Sequence, residues 1–310
     1  MDFVTDEMDF SAYMAEPEAK EKVVPALSFL EQVRKRFENP EEAKGKHLPW
    51  PKTAEYFRIR PNELTLWPGI NGHGKSLVLN QIQIGLMAQG EKILIASMEM
   101  PPAVTLERMT RQACGMSYPS ATEVDSFLEW TNDRCWIYDH LGSVNWKNLI
   151  GVMRYCAVEL GITQFVVDSL MRCGIGEQDY DGQKAFIDAL VGFKNQYPVH
   201  VHLVMHSRKR ENEDIPPGKF DAKGTGTMTD LADNVVTVWR NKKKERAIQD
   251  GTASLETTEM FDALMIVDKQ RNYEWEGKIA LWYIPGAMQF VENGTSGCVD
   301  LTRREDAIPY

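Results

Sequence analysis

Residues 69–76 form a glycine-rich segment whose residue types could bind the phosphates of a nucleotide. Their sequence, G-I-N-G-H-G-K-S, matches the signature G-x-x-x-x-G-K-S. The glycines let the backbone bend so that N–H groups point at phosphate oxygens at the start of a helix. In this interpretation Lys75 contacts the β- and γ-phosphates and the Ser76 hydroxyl binds Mg²⁺. The predicted nucleotide contacts of this segment are Gly69, Asn71, Gly72, His73, Gly74, Lys75, Ser76 and Leu77.

Two carboxylates follow apolar runs that are typical of buried strands. Asp168 comes after Phe-Val-Val, and Glu99 comes after the run 93–98. At the carboxyl end of a core strand, Asp168 could bind the Mg²⁺ of the nucleotide; the alternative is an aspartate that caps the next helix. Glu99 could polarise a water for attack on the γ-phosphate; the alternative is a solvated glutamate at a strand end. The pair therefore predicts phosphoryl chemistry beside the phosphate-binding segment.

A histidine and two cations occupy similar positions at other predicted strand ends. His206 ends the predicted strand 200–205 and could hydrogen-bond the γ-phosphate and report its loss, although a structural histidine is the simpler alternative. Lys269 and Arg271 are two residues apart, so on a strand their side chains point the same way. They could enter a phosphate site together, including that of an adjacent subunit, as an arginine finger. The alternative is an ordinary exposed pair.

A long polar loop after His206 is basic although the whole chain is acidic. The net charge is −10 and the pI is about 5.2, which argues against a positive coat that wraps nucleic acid nonspecifically. Long loops in compact domains are usually functional or disordered, and a basic one beside a nucleotide site suggests contacts with a phosphate backbone. The alternative is a solvated run of charge. The predicted DNA contacts are Arg208, Lys209, Arg210, Lys219, Lys223 and Gly224.

The elements that must position these residues alternate between strand and helix. Near-continuous apolar strands indicate a sheet buried on both faces. Strands are predicted at 63–67, 92–97, 135–138, 164–167, 200–205, 235–239, 264–267 and 279–283, and helices at 76–88, 103–114, 120–131, 146–160 and 183–197. The pattern predicts an α/β fold with a doubly wound, mostly parallel sheet flanked by helices, and antiparallel strands in the last third.

The chain divides by composition into four segments. We expect an acidic mobile arm at 1–22, a linker helix and lead-in at 23–52, the main domain at 53–292 and a tail at 293–310. An apolar stripe marks the linker helix, which packs either on its own domain or on a neighbouring subunit; it comprises Val23, Leu27, Leu30, Val33 and Phe37.

The apolar runs, the N-terminus and the cysteines indicate in which compartment we expect the protein. No apolar run approaches the roughly 18 residues that span a bilayer. The acidic N-terminus resembles neither a secretory nor a mitochondrial signal. The five cysteines are scattered without C-x-x-C spacing, which argues against structural zinc and for a reducing compartment. We therefore expect a cytoplasmic protein without a membrane partner.

Taken in order, these motifs resemble a known family. Residues 53–290 are similar to the RecA-like motor domain of DnaB-type hexameric replicative helicases, and to the helicase half of phage primase–helicases and Twinkle-like helicases. The resemblance rests on residues 69–76, 97–102 with Arg108, 166–169, His206 with its basic loop, 224–226 with 231–234, and 269–272.

The resemblance implies specific roles. Glu99 corresponds to the catalytic base, Lys269 and Arg271 to a finger pair that acts on the adjacent subunit, and His206 to the histidine of the phage branch. The loops 174–182 and 208–225 correspond to central DNA loops. Arg108, Arg240 and Tyr283 are the further candidates for nucleotide binding, the last two near the base.

The resemblance also implies an assembly: a ring of about six copies that binds ATP or another NTP or dNTP with Mg²⁺ at each junction, encloses single-stranded DNA and works in a bacterial or phage-infected cell. No primase, zinc-binding domain or helical collar precedes the motor here, so primase and loader could lie on separate chains, or the sequence could be trimmed. Two alternatives stay open: a recombinase-like filament, and an ATP-gated scaffold that recruits partners through the acidic arm.

Overall fold

A nine-stranded sheet is the centre of the fold in this computed structural model. The structure describes residues 13, 24–176, 178–206, 213–216 and 226–306, with side chains excluded at 226–227 and 304–306. The strands are β1 Lys46–His47, β2 Arg58–Ile59, β3 Glu63–Trp67, β4 Ile93–Ser97, β5 Cys135–Ile137, β6 Gln164–Asp168, β7 His200–Val204, β8 Asn234–Arg240, β9 Ala263–Gln270, β10 Gly277–Ile284 and β11 Gln289–Val291.

Helices connect most of the strands. They are α1 Leu30–Glu38, α2 Pro40–Lys44, α3 Lys75–Met87, α4 Pro102–Cys114, α5 Ala121–Trp130, α6 Trp146–Glu159, α7 Tyr180–Gln196, α8 Gly226–Leu231, α9 Lys242–Gln249 and α10 Leu255–Glu259. Short 3₁₀ segments lie at Ala26–Phe29, Pro51–Thr53, Leu170–Arg172 and Leu301–Asp306. The five helices predicted in the main domain correspond to α3–α7 to within a few residues, whereas α2, α8, α9 and α10 were not predicted.

The sheet is parallel in its centre and antiparallel at one side. Its strand order is β11-β10-β9-β8-β3-β7-β6-β4-β5, and β1 pairs with β2 in a separate two-stranded sheet. Six neighbouring strands, β8, β3, β7, β6, β4 and β5, run parallel. The strands β9, β10 and β11 continue the sheet as antiparallel neighbours. The predicted fold class is therefore confirmed, including the antiparallel strands of the last third.

Alternate side chains of the central strands enter two cores, one on each face of the sheet. On β4, Ile93 and Ile95 join the core that α3 and α4 cover, while Leu94 and Ala96 join the core that α6 and α7 cover. This alternation follows from the period of two along a strand, and burial on both faces explains the near-continuous apolar runs. The first core also contains Leu48, Trp50 and Leu301, which lie beyond the predicted main domain 53–292.

Local capping explains where several helices begin. Before α5, the Ser120 hydroxyl accepts from the Glu123 N–H, and the Glu123 carboxylate accepts from the Ser120 N–H at 2.6 Å. This reciprocal pair satisfies two N–H groups that a helix start leaves without partners. Gly115 ends α4 in the left-handed region, with φ +66°, where a side chain would be strained.

The predicted linker helix is present but makes no buried contact within the described chain. It consists of a 3₁₀ turn, Ala26–Phe29, followed by α1, and neither contains a buried residue. Val23 of the apolar stripe lies outside the described residues, and the other four members are exposed to solvent, Leu27 to 75% and Phe37 to 82%. Packing of this stripe on its own domain is therefore not what the structure shows.

Among the residues that the structure describes, none of the helices has the length and apolar content needed to cross a membrane.

Candidate active site

The turn between β3 and α3 has the geometry of a phosphate cradle. Gly72 and Gly74 adopt left-handed backbone angles, with φ of +79° and +86°, and Gly74 is the N-cap of α3. A glycine cap has no side chain to fill the helix start, so the first N–H groups of α3 face the turn. The predicted cradle residues therefore lie together where β3 ends.

Lys75 is folded back onto this turn. Its ammonium donates to the carbonyl oxygens of Gly69 at 2.7 Å and Ile70 at 3.0 Å. Burial lowers the pKa of Lys75 to about 8, although the nearby carboxylates of Asp168 and Glu99 favour its charged form. A buried cation with only carbonyl partners is suited to receive an anion.

Ser76 and Asp168 form the oxygen pair expected of a magnesium site. The Ser76 hydroxyl donates to Asp168 Oδ2 at 2.6 Å. Asp168 is 7% exposed, and burial raises its pKa, while the bond from Ser76 acts in the opposite direction. Mg²⁺ prefers oxygen ligands from one or two side chains together with phosphates. A hydroxyl and a buried carboxylate that converge beside the cradle fit this ion.

Glu99 lies next to this pair because β4 and β6 are parallel neighbours in which Ser97 pairs with Asp168. Ser169 Oγ donates to Glu99 Oε1 at 3.0 Å, and His206 Nε2 lies 3.1 Å from Ser169 Oγ and 3.4 Å from Glu99 Oε1. The Glu99 side chain is 37% exposed, so water can reach it. The three predicted strand-end residues therefore meet at one edge of the sheet.

Two members of this cluster had no predicted role. Ser169 bridges Glu99 and His206, and Arg172 Nε lies 3.6 Å from Glu99 Oε1. Ser169 follows Asp168 directly, so the sequence already placed it at the end of a predicted strand, beside the candidate metal ligand. Arg172 comes from the 3₁₀ turn Leu170–Arg172, and its approach to Glu99 depends on a fold of the chain that no local pattern shows.

The candidates for base contacts border the cradle on its other side. The Arg240 guanidinium lies over the Tyr283 ring at 5.1 Å, and the Tyr283 ring lies 4.9 Å from that of Phe290. A Cβ added to Gly74 would be 3.5 Å from Phe290, which places this aromatic group beside the cradle. Burial raises the pKa of Tyr283, and the charges of Arg240 and Arg108 oppose that shift. Arg108 therefore also faces this region.

His73 contributes differently from the other cradle residues. Its imidazole is 1% exposed, and its Nδ1 accepts from the Arg240 N–H at 3.2 Å. Burial lowers the pKa of His73, so the neutral ring is favoured. The side chain thus ties the turn to the end of β8, and only its backbone is directed to the turn itself.

Lys269 and Arg271 lie at the opposite edge of the sheet from the cradle. β9 runs antiparallel to β8, and its end at Gln270 pairs with Asn234, the start of β8. The Lys269 ammonium donates to the carbonyls of Thr229, Asp230 and Ala232 at 2.8–3.1 Å. Arg271 is half exposed. The structure therefore does not bring this pair to the cradle of its own chain.

The predicted DNA contacts Arg208, Lys209, Arg210, Lys219, Lys223 and Gly224 lie outside the described residues. Between them, residues 213–216 are described and lie beside the end of β8, where the Glu213 carbonyl accepts from Trp239 Nε1 at 2.9 Å. In the other predicted DNA loop, 174–182, Asp179 caps α7 by accepting from the Gly182 N–H at 2.9 Å.

Comparison with solved structures shows which known architectures this chain resembles. No family model matches the sequence. The structure is similar to one described as the ATPase domain of G40P, with a TM-score of 0.66 and 15% identity over 85% of this chain and 98% of that one. It is also similar to a DnaB-like replicative helicase solved to show its interactions with primase, with a TM-score of 0.61 and 15% identity over 86% of this chain and 70% of that one.

The chain has a RecA-like fold. At 15% identity the likeness concerns the fold and not the chemistry, which must be argued from the side chains of this chain. Within the RecA-like sheet, the cradle, Asp168, Glu99 and His206 all lie at the carboxyl edge of the parallel strands, where open α/β sheets bind their ligands.

Proposed function

We propose that this chain is the ATPase motor domain of a DnaB-like replicative DNA helicase. Its copies form a ring, six in number by the resemblance, that hydrolyses ATP or another NTP or dNTP between subunits and moves along single-stranded DNA. One observation carries the proposal: Glu99 and the Ser76–Asp168 pair converge beside the phosphate cradle, while Arg271 is exposed at the opposite edge of the same sheet.

The carboxyl-edge residues divide the chemistry of hydrolysis among themselves. Ser76 and Asp168 would hold Mg²⁺, which supplies positive charge to the phosphates. Lys75 exchanges its carbonyl partners for phosphate oxygens when a triphosphate enters the cradle. Glu99 orients the attacking water and accepts its proton, and Ser169 and His206 hold the Glu99 carboxylate in place.

Because the cradle and Arg271 lie at opposite edges of the sheet, the proposed mechanism requires a second copy of the chain. A cation at the amino edge cannot reach the cradle of its own subunit across the sheet, but head-to-tail packing brings the amino edge of one copy to the carboxyl edge of the next. Such heterologous contacts close into rings when the rotation allows it. Arg271 then stabilises the charge on a γ-phosphate held by its neighbour.

Single-stranded DNA is the second proposed substrate. The basic residues of the loop 208–223 supply its contacts, and His206, where that loop begins, relays the loss of the γ-phosphate to it. Backbone contacts of this kind release counterions, so the affinity for DNA should fall steeply with salt. Primase and a loader on separate chains are the proposed protein partners.

The test combines phosphate release with a mass measurement. The purified chain is assayed with and without single-stranded oligonucleotide, from roughly 50 to 200 mM salt, while mass photometry reports its assembly with nucleotide. We expect DNA-stimulated release that Lys75→Ala abolishes, in a closed assembly of several copies. Filaments in electron micrographs would favour the recombinase alternative. Phosphate release that is the same with and without DNA would favour the scaffold alternative.

A further inference from the structure

A buried carboxylate lies beneath Arg271. Asp233 is 3% exposed and immediately precedes β8. Its Oδ2 accepts from the Leu64 N–H at 2.8 Å and lies 3.0 Å from the Lys194 ammonium, and its Oδ1 accepts from Arg271 Nη1 at 3.1 Å. Arg271 Nη2 also donates to the Asp230 carbonyl at 3.1 Å. The guanidinium is thus held at two points, one of which is a buried carboxylate.

The backbone that carries Arg271 is fixed as well. On one side, Gln270 Nε2 donates to the Tyr56 carbonyl at 2.8 Å; on the other, Asn272 Nδ2 donates to Glu63 Oε1 at 2.7 Å. The Arg60 guanidinium lies over the Tyr273 ring at 5.1 Å. The freedom of the proposed finger is therefore that of one side chain on a rigid hairpin.

We propose that Asp233 is a positioning residue for the Arg271 finger, which it holds at the amino edge for the phosphate of a neighbouring subunit. This inference rests on the proposed function. A long arginine side chain has many rotamers, and the entropy of that freedom must otherwise be lost when the finger engages. Two fixed acceptors remove part of that loss in advance and leave further N–H donors of the guanidinium for the phosphate.

Lys194 is the second cation beside Asp233. Its side chain is 8% exposed, and its ammonium shares the Asp233 carboxylate with Arg271. A buried carboxylate that loses its only cation is strongly destabilised. Because the Leu64 N–H and Arg271 both remain bonded to the carboxylate without it, Lys194 contributes to the stability of the cluster and not to the position of the guanidinium.

A double-mutant cycle tests the inference. Phosphate release on single-stranded DNA and the affinity for a fluorescent ADP analogue are measured for wild type, Asp233→Asn, Arg271→Ala and the double variant. Arg271→Ala should lower kcat by about 10³-fold. Asp233→Asn should lower kcat by about ten- to a hundredfold in the wild-type background, the range that a small misplacement costs, and should have almost no effect when Arg271 is absent. Nucleotide affinity should not change, because the cradle lies at the other edge.

The outcomes separate the two proposals. An equal loss in both backgrounds, or no loss in the wild type, overturns the positioning role and leaves the trans finger standing. Wild-type turnover by Arg271→Ala overturns the trans finger, and the positioning role with it.

Lys194→Met is the matched control. It removes the other buried partner of Asp233 but leaves the carboxylate facing Arg271, so kcat should fall by no more than about threefold even if the melting temperature drops. A loss of kcat in step with melting temperature for both variants would mean a merely structural cluster. If Asp233→Asn does not fold, Asp233→Ser takes its place in the cycle, since its hydroxyl can still accept from the Leu64 N–H.

Discussion

At the scale of single residues, the two carboxylates at the carboxyl edge have different proposed tasks: Asp168 binds the metal ion and Glu99 handles the attacking water. Asp168 is buried and bonded to Ser76, whereas Glu99 is partly exposed and bonded to Ser169. A metal-binding carboxylate benefits from a fixed position, and a group that handles water needs access to it. The two carboxylates therefore differ in environment in the way that their proposed roles require.

Glu99→Gln should separate binding from hydrolysis. The amide keeps the size of the side chain but cannot accept a proton from water, so we expect kcat to fall by about 10²–10⁴-fold. Titration with a fluorescent ADP analogue should give wild-type affinity. Glu107→Gln, an exposed change on α4, is the control and should be silent. Unchanged turnover by Glu99→Gln would remove Glu99 from the mechanism.

Lys75 predicts a pH dependence of nucleotide binding. Its pKa in the free protein is about 8 because of burial, and the charge of a bound polyphosphate would raise it. Binding above pH 8 must then take up a proton, so affinity for the ADP analogue should fall by about tenfold between pH 7.5 and 9.5. In Lys75→Arg, whose guanidinium stays charged, the affinity should be flat over this range. A flat wild-type profile would contradict the lowered pKa.

The lowered pKa of Lys75 also affects the stability of the nucleotide-free protein. A lysine whose pKa is lower in the folded than in the unfolded state binds fewer protons when folded, so the free energy of unfolding rises with pH. For Lys75 this rise falls between the folded-state value of about 8 and the ordinary value of about 10.4. Its contribution is therefore unfavourable below pH 8, where the buried ammonium is charged.

At the scale of elements, α1 and the hairpin of β9 and β10 behave in opposite ways. The hairpin is fixed on both sides of Arg271 by core residues. α1 has an apolar stripe with no buried residue. An isolated helix of this length is marginal in water, so α1 needs a surface to pack against. Of the two partners that the sequence left open, the structure shows no packing on its own domain, so we propose a neighbouring copy of the chain.

A charge on that stripe should disrupt assembly. Val33 is 48% exposed, so Val33→Asp should leave the fold of the single chain intact while lowering the fraction of assembled protein seen by mass photometry with nucleotide. Gln32→Asp introduces the same charge at the adjacent position, which points away from the stripe, and should assemble normally. Equal behaviour of the two variants would count against docking through this stripe.

At the scale of the whole molecule, the reversal of β9 determines where each charge can act. The parallel strands place the cradle and the carboxylates at one edge, and the antiparallel direction of β9 relative to β8 places Arg271 at the other. In the proposed function, each subunit would offer half of a reaction centre at each end. A complete centre would need two copies, so turnover would depend on assembly.

Mixing two inactive variants tests this division. Lys75→Ala lacks a working cradle and Arg271→Ala lacks the finger, so each should be nearly inactive alone. In an equal mixture about a quarter of the interfaces combine an intact cradle with an intact finger, and turnover should reappear in proportion. A mixture no more active than the sum of its separate components would place both groups in the same subunit.

The sequence by itself determined the features that depend on local pattern. The cradle is a contiguous motif, and Asp168, Glu99 and His206 each follow an apolar strand, so parallel pairing was enough to bring them together. The main strands were predicted for the same reason, whereas β1, β2 and β11, which have two or three residues each, were not predicted.

Only the tertiary structure decided the amino edge. Nothing in the spacing of Lys269 and Arg271 shows that one ammonium is bonded to three carbonyls near the end of α8 while the other cation is half exposed. The role of Asp233 depends on Leu64, Lys194 and Arg271, which are distant in sequence and meet because β3, α7 and β9 reach the same edge. Contacts of that kind depend on how the strands are ordered and directed, which a local pattern does not specify.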